Sequence, residues 1–89
     1  MGEDKRGLVR VASVNTIGEY TLQIRWVNGE DHSVDLRETV HRLRGLRALR
    51  DPSMFARATA GQGGHSVVWP GDLDIGADRL LELGREQST

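Results

Sequence analysis

The stretch Tyr20 to Leu36, YTLQIRWVNGEDHSVDL, constrains the fold most, because it carries the only sustained alternation of apolar and polar residues in the chain. Tyr20, Leu22, Ile24 and Trp26 share one face of a strand, and Thr21, Gln23, Arg25 and Val27 share the other. Asn28-Gly29 reads as a turn, and the return strand brings back Val34 and Leu36. The length of the turn sets the register. A two-residue Asn-Gly loop is the usual form for this dipeptide. It would place Val34 opposite Gln23, on the polar face, because directly opposed residues share a face. A three-residue loop, Val27-Asn28-Gly29, with Gly29 left-handed in a bulge, pairs Tyr20 with Leu36, Leu22 with Val34 and Ile24 with His32. A slip of one residue turns the whole strand over, so the bulged hairpin is the one expected.

The flanking segments complete an α+β pattern. Residues 1–7 read as a frayed polar leader, residues 8–84 as a single domain and residues 85–89 as a polar tail. Leu8 to Val14 reads as a first strand, with Val9, Val11 and Ser13 on one face and Leu8, Arg10, Ala12 and Val14 on the other. Residues 37–51 read as helical in two short pieces. Val40, Leu43, Leu46 and Leu49 recur every three residues, a period that drifts around an ideal α-helix. A break or 3₁₀ turn near Gly45 would keep all four on one side. Asp51-Pro52-Ser53 reads as the stop. Met54 to Ala60 and His65 to Trp69 read as the fourth and fifth strands, joined through Gly61 to Gly64 and closed by Pro70-Gly71. A helix is expected from Ala77 to Leu83, with Gly76 as N-cap, Ile75 and Leu80 in staple positions and Gly84 as the stop. The expected fold is α+β: a small antiparallel β-sheet of four or five strands, a short Leu/Arg-rich helical segment and a C-terminal helix.

Composition narrows the function classes. Eighty-nine residues make one domain, with an apolar fraction of 37% and a charged fraction of 28%. Such a core is modest, and part of the apolar surface is expected to be completed by a partner or a second copy. The formal net charge of −1 supplies no global field toward nucleic acid or membrane. The chain has no cysteine, which excludes disulfides, thiolate catalysis and cysteine-ligated zinc. No apolar run approaches a membrane span, and the start has no signal-peptide h-region, so a cytoplasmic protein is expected.

The chemistry-bearing residues are read mainly as parts of the fold. His32, His41 and His65 have no metal-pair spacing. Asp72, Asp74 and Asp78 lack the calcium-loop pattern and suit turn and helix-start positions. Gly61 to Gly64 is followed by a strand and no lysine, unlike a phosphate loop. Ser66 beside His65 is no triad. The arginines stand apart. Six of them, Arg37, Arg42, Arg44, Arg47, Arg50 and Arg57, face only Glu38 and Asp51 within residues 37–57. Three readings apply: a solvated face, a surface that pairs with the acidic stretch Asp72 to Glu86 within the chain or across a dimer, or a phosphate-contacting stripe using Arg44, Arg47 and Arg50.

Taken in order, Val27-Asn28-Gly29, Val34-Asp35-Leu36, Leu49-Arg50-Asp51-Pro52 with Phe55 after it, and Val68-Trp69-Pro70-Gly71-Asp72-Leu73-Asp74-Ile75 followed by Asp78 and Leu80 resemble the bacterial family catalogued as domain of unknown function 2442. The resemblance runs from residue 8 to about residue 83. It departs at Gly76-Ala77, where such sequences often carry Ser-Pro, and in its dense arginines. It implies a small α+β fold with no established enzyme activity. It also implies a partner, since such proteins are often encoded beside a second small uncharacterised family, domain of unknown function 4160, in what looks like a toxin–antitoxin arrangement. The expected function is therefore a non-catalytic protein-interaction module, the antitoxin-like member of a two-protein pair. Its partner would be another small protein or a second copy. The alternative is a nucleic-acid-binding or autoregulatory protein that uses the arginine segment. No enzyme activity, cofactor, metal or membrane contact is expected.

Overall fold

The computed structural model describes residues 9–87; the expected leader and the last two residues of the expected tail lie outside the described residues. The hairpin takes the bulged form. β1 (Val11–Thr16), β2 (Thr21–Trp26) and β3 (Asp31–Asp35) form an antiparallel sheet in the order β1-β2-β3. Leu22 lies opposite Val34, and Ile24 opposite His32. The Gly29 N–H donates to the Trp26 carbonyl and the Trp26 N–H to the Glu30 carbonyl, which leaves Val27, Asn28 and Gly29 as the loop. Gly29 has a φ of 95°, a conformation glycine reaches without a Cβ penalty. The Leu36 N–H closes the other end on the Tyr20 carbonyl. Leu22, Ile24, Val34 and Leu36 are fully buried as a result.

The first strand corrects the plain alternation read from Leu8 to Val14. Val11 lies opposite Trp26, but Ser13 lies opposite Arg25, so Ala12 is an extra residue. The extra residue reverses the parity of the rest of the strand. Val11 and Val14 therefore both face the core, which simple alternation forbids; Leu8 lies outside the described residues.

The Leu/Arg-rich segment is two pieces, as expected, but the break falls at Leu43. α1 (Arg37–Arg42) ends there in extended backbone, and a 3₁₀ segment (Arg44–Arg50) continues the chain, kinked at Leu46. Val40, Leu46 and Leu49 are buried; Leu43, at the break, stays 41% exposed and does not join them. Asp51-Pro52-Ser53 both stops this segment and starts another. Asp51 accepts hydrogen bonds from the Ser53 N–H and hydroxyl, Pro52 takes the first helical position, and α2 (Pro52–Phe55) forms where a strand is expected from the sequence. β4 is accordingly short (Thr59–Ala60).

The expected single sheet is divided. β4, β5 (Ser66–Trp69) and β6 (Leu73–Gly76) make a second three-stranded antiparallel sheet in that order. β6 is a strand in its own right and not merely the approach to the last helix; Leu73 and Ile75 turn inward while Asp74 turns out. The sheets meet along β1 and β4, where Gly64 packs on the Val11 backbone. An aromatic chain joins them across the core. Tyr20 meets Phe55 edge-on at 5.7 Å between ring centroids, and Phe55 lies 5.7 Å from Trp69. The Trp69 indole N–H donates to the buried Phe55 carbonyl at 2.9 Å.

α3 (Ala77–Gln87) starts where expected but runs through Gly84. Gly84 is buried against His32, where a Cβ would come within 3.0 Å of the histidine Cβ and Cγ; it provides a close approach of α3 to β3, not a stop. Arg85, Glu86 and Gln87 belong to this helix and not to a free tail.

Candidate functional site

The site residues read from the sequence separate into two kinds. Arg50 is structural. Its Nε and Nη2 donate to the Val40 and His41 carbonyls, the free C-terminal carbonyls of α1, and its own carbonyl accepts from the Tyr20 hydroxyl. Arg37 lies over the Tyr20 ring at 4.9 Å and pairs with Glu19 at 3.3 Å. Arg44 and Arg47 are exposed, with no ion-pair partner among the described residues.

Their arrangement follows from the local backbone. A 3₁₀ helix has three residues per turn, so residues three apart eclipse one another, about 6 Å apart along the axis. Here the segment is kinked at Leu46, so the eclipsing is only local. Leu46 and Leu49 are buried, Leu43 is not, and Arg44, Arg47 and Arg50 form a column beside them. The three arginines line a single hollow of about 310 Å³.

Arg44 also lines a larger groove of about 540 Å³, between the 3₁₀ segment and the junction of β6 with α3. Leu43, Leu46, Leu73 and Ile75 give it an apolar floor. Arg44 and Arg79 stand at its rim with Asp72 and Asp74. Both signs of charge therefore surround an apolar strip whose exposed end is Leu43. The sequence signal for this groove is the strict period of three through Val40, Leu43, Leu46 and Leu49, which a continuous α-helix cannot keep on one face. The β6 wall has no such signal, because it is assembled by tertiary packing.

The other candidates hold local structure. The His32 Nδ1 accepts from the Trp26 indole N–H at 2.8 Å. The His41 ring lies 2.8 Å from the Arg37 carbonyl and edge-on to Tyr20. The His65 carbonyl accepts from the Ala77 N–H. Asp72 has a φ of 63° in the β5–β6 turn, a left-handed position that Asp tolerates better than most residues. Asp74 and Asp78 are exposed on β6 and in the first turn of α3. Among the described residues no three His, Asp or Glu side chains form a metal-binding group. Gly61 to Gly64 is the β4–β5 turn, closed by the Gly61 N–H on the Ser66 carbonyl. Among the described residues no helix is long and apolar enough to cross a membrane.

The fold has a solved counterpart. A crystal structure of a candidate DNA-binding protein from Nitrosomonas europaea superimposes with a TM-score of 0.80 at 26% sequence identity. The match covers 89% of this chain but only 50% of that one, so the chain spans half of its structural relative. No curated protein matches the chain. A family model described as a protein of unknown function matches residues 11–86, from the first residue of β1 almost to the end of α3. By that match the chain belongs to the family of domain of unknown function 2442.

Proposed function

We propose that this chain is a non-catalytic protein-interaction module, the antitoxin-like member of a two-protein pair, and that its partner docks on the face formed by Leu43, Arg44 and Arg47. The observation that carries this reading is the exposed Leu43 at the lip of a groove with an apolar floor and a rim of both charges. Such a rim suits a protein surface, which offers an aliphatic anchor and charges of either sign. The reading as non-catalytic rests on the histidines, which lie in separate elements, with the His32 and His41 rings held by bonds within the fold. The test is co-purification with the product of the adjacent gene. The wild-type chain should co-elute with it, and Leu43→Asp should abolish co-elution while leaving the thermal midpoint within a few degrees. Elution always alone would count against the reading.

A second reading is favoured by the name of the structural relative. Arg44 and Arg47 would contact nucleic-acid phosphates, in an autoregulatory role. The exposed aromatics that hold single strands are missing here, since Trp26, Phe55 and Trp69 are buried. If the reading holds, Arg44→Ala with Arg47→Ala should lower the slope of log K against log salt by roughly 1.4–1.8, the loss of two phosphate contacts. A wild-type chain that shifts no DNA or RNA at low salt would end it.

A further inference from the structure

From the distribution of charge we infer that the Leu43–Arg44–Arg47 face is covered, in the absence of another protein, by α3 of a second copy of this chain. The inference rests on the interaction-module reading and names an occupant for its site.

One face of α3 carries two carboxylates around a leucine, with Arg85 and Glu86 beyond them. Asp78, Leu81 and Glu82 occupy neighbouring positions on that face, at spacings of three and four residues. Asp78 and Glu82 are exposed and Leu81 is half-buried. Neither carboxylate has an ion-pair partner among the described residues. Arg44 and Arg47 likewise have no ion-pair partner among the described residues.

The two faces match in sign. Asp78 and Glu82 stand one turn apart on α3, and Arg44 and Arg47 line one hollow of the 3₁₀ segment. Each charged pair also has an aliphatic neighbour: Leu81 on α3, and Leu43 beside Arg44. Laying one face on the other sets carboxylates against guanidinium groups and Leu81 against Leu43. α3 also borders the groove of Arg44, through Arg79. A two-fold arrangement then makes both pairings at once and closes on itself. Exposed ion pairs are weak and screened by salt, so the dimer should be concentration-dependent and salt-sensitive.

Sedimentation equilibrium of the full chain tests this directly. At about 10 mM salt, where charges act over tens of ångströms, the weight-average mass should rise with concentration toward that of two chains, and it should fall back at about 1 M. Arg44→Glu with Arg47→Glu should be monomeric, because its column repels α3. Asp78→Arg with Glu82→Arg should be monomeric for the converse reason. An equimolar mixture of these two variants should regain the dimer, since each then carries the complement of the other. All four positions are exposed, and circular dichroism confirms that each variant is folded. A mixture that stays monomeric, or a wild-type chain that is monomeric at every salt and concentration, overturns the proposal. If that monomer still co-elutes with the adjacent gene's product, and Leu43→Asp prevents it, the module reading stands and only the second copy is refuted.

Discussion

At the scale of single residues, the structure assigns opposite consequences to substitutions that look alike. Gly45 and Gly64 are both glycines beside or within turns. A Cβ on Gly45 would meet nothing within 4 Å, whereas one on Gly64 would lie 2.6 Å from the Val11 carbonyl oxygen, at a φ of 75°. Gly45→Ala should therefore stabilise by about 0.4–1 kcal/mol, through the entropy of the unfolded chain. Gly64→Ala should destabilise by about 2 kcal/mol or more, since it combines a backbone clash with a left-handed conformation. Urea denaturation of both variants reads the sign. The arginines divide in the same way. Arg50→Ala removes the donors to two carbonyls at the end of α1 and should cost about 1–2 kcal/mol. Arg44→Ala touches no such partner and should stay within about 0.5 kcal/mol of wild type. Equal losses for the two would refute the assignment of Arg50 to the fold and Arg44 to the surface.

At the scale of elements, the features legible in the sequence are those that local chemistry decides. The bulge at Gly29 comes from keeping Val34 and Leu36 on the side of Leu22 and Ile24, and the start of α3 from the approach to Ala77. Two signals carry more than one meaning. Asp51-Pro52 reads as a stop, yet Asp before Pro is also a helix start. Leu73 and Ile75 read as the approach to a helix, yet their alternation with Asp74 is that of a strand. Other features have no local signal. The extra residue at Ala12 is visible only against the register of β2, and the role of Gly84 only against His32. The candidate site is half legible for the same reason: its arginine column lies in one stretch of sequence, but its β6 wall comes from a distant one. The end of α3 gives a test at this scale. The Gln87 side-chain amide donates to the Asp35 carbonyl at 3.0 Å and accepts from its N–H at 2.7 Å, as a neighbouring strand would. Gln87→Ala should cost about 1 kcal/mol and speed hydrogen exchange at the Asp35 amide, with little change in β2. Unchanged exchange at Asp35 would show that the contact does not hold the edge of β3.

At the scale of the whole molecule, the division into two three-stranded sheets raises the question of whether they unfold as one. Three structural links join them. Gly64 presses on the Val11 backbone where the sheets meet, Tyr20, Phe55 and Trp69 run across the core in ring contact, and α3 leaves β6 to pack on β3. The buried residues of both sheets belong to one hydrophobic cluster, so neither sheet has a separate core to keep when the other opens. A chain of this size with a shared core should unfold in a single cooperative step. The two tryptophans make this measurable, because Trp26 lies in the first sheet and Trp69 in the second. Trp26→Phe leaves fluorescence to report the second sheet, and Trp69→Phe leaves it to report the first. Trp69→Phe should also cost about 1–3 kcal/mol, because it strands the buried Phe55 carbonyl without its donor. Within each variant the fluorescence and far-ultraviolet circular dichroism transitions in urea should coincide, with one midpoint and one slope. A first sheet that kept its midpoint in the Trp69→Phe variant, while the circular dichroism signal fell in two steps, would mean that the sheets are separate cooperative units. The aromatic chain would then be a contact between them and not the centre of a common core.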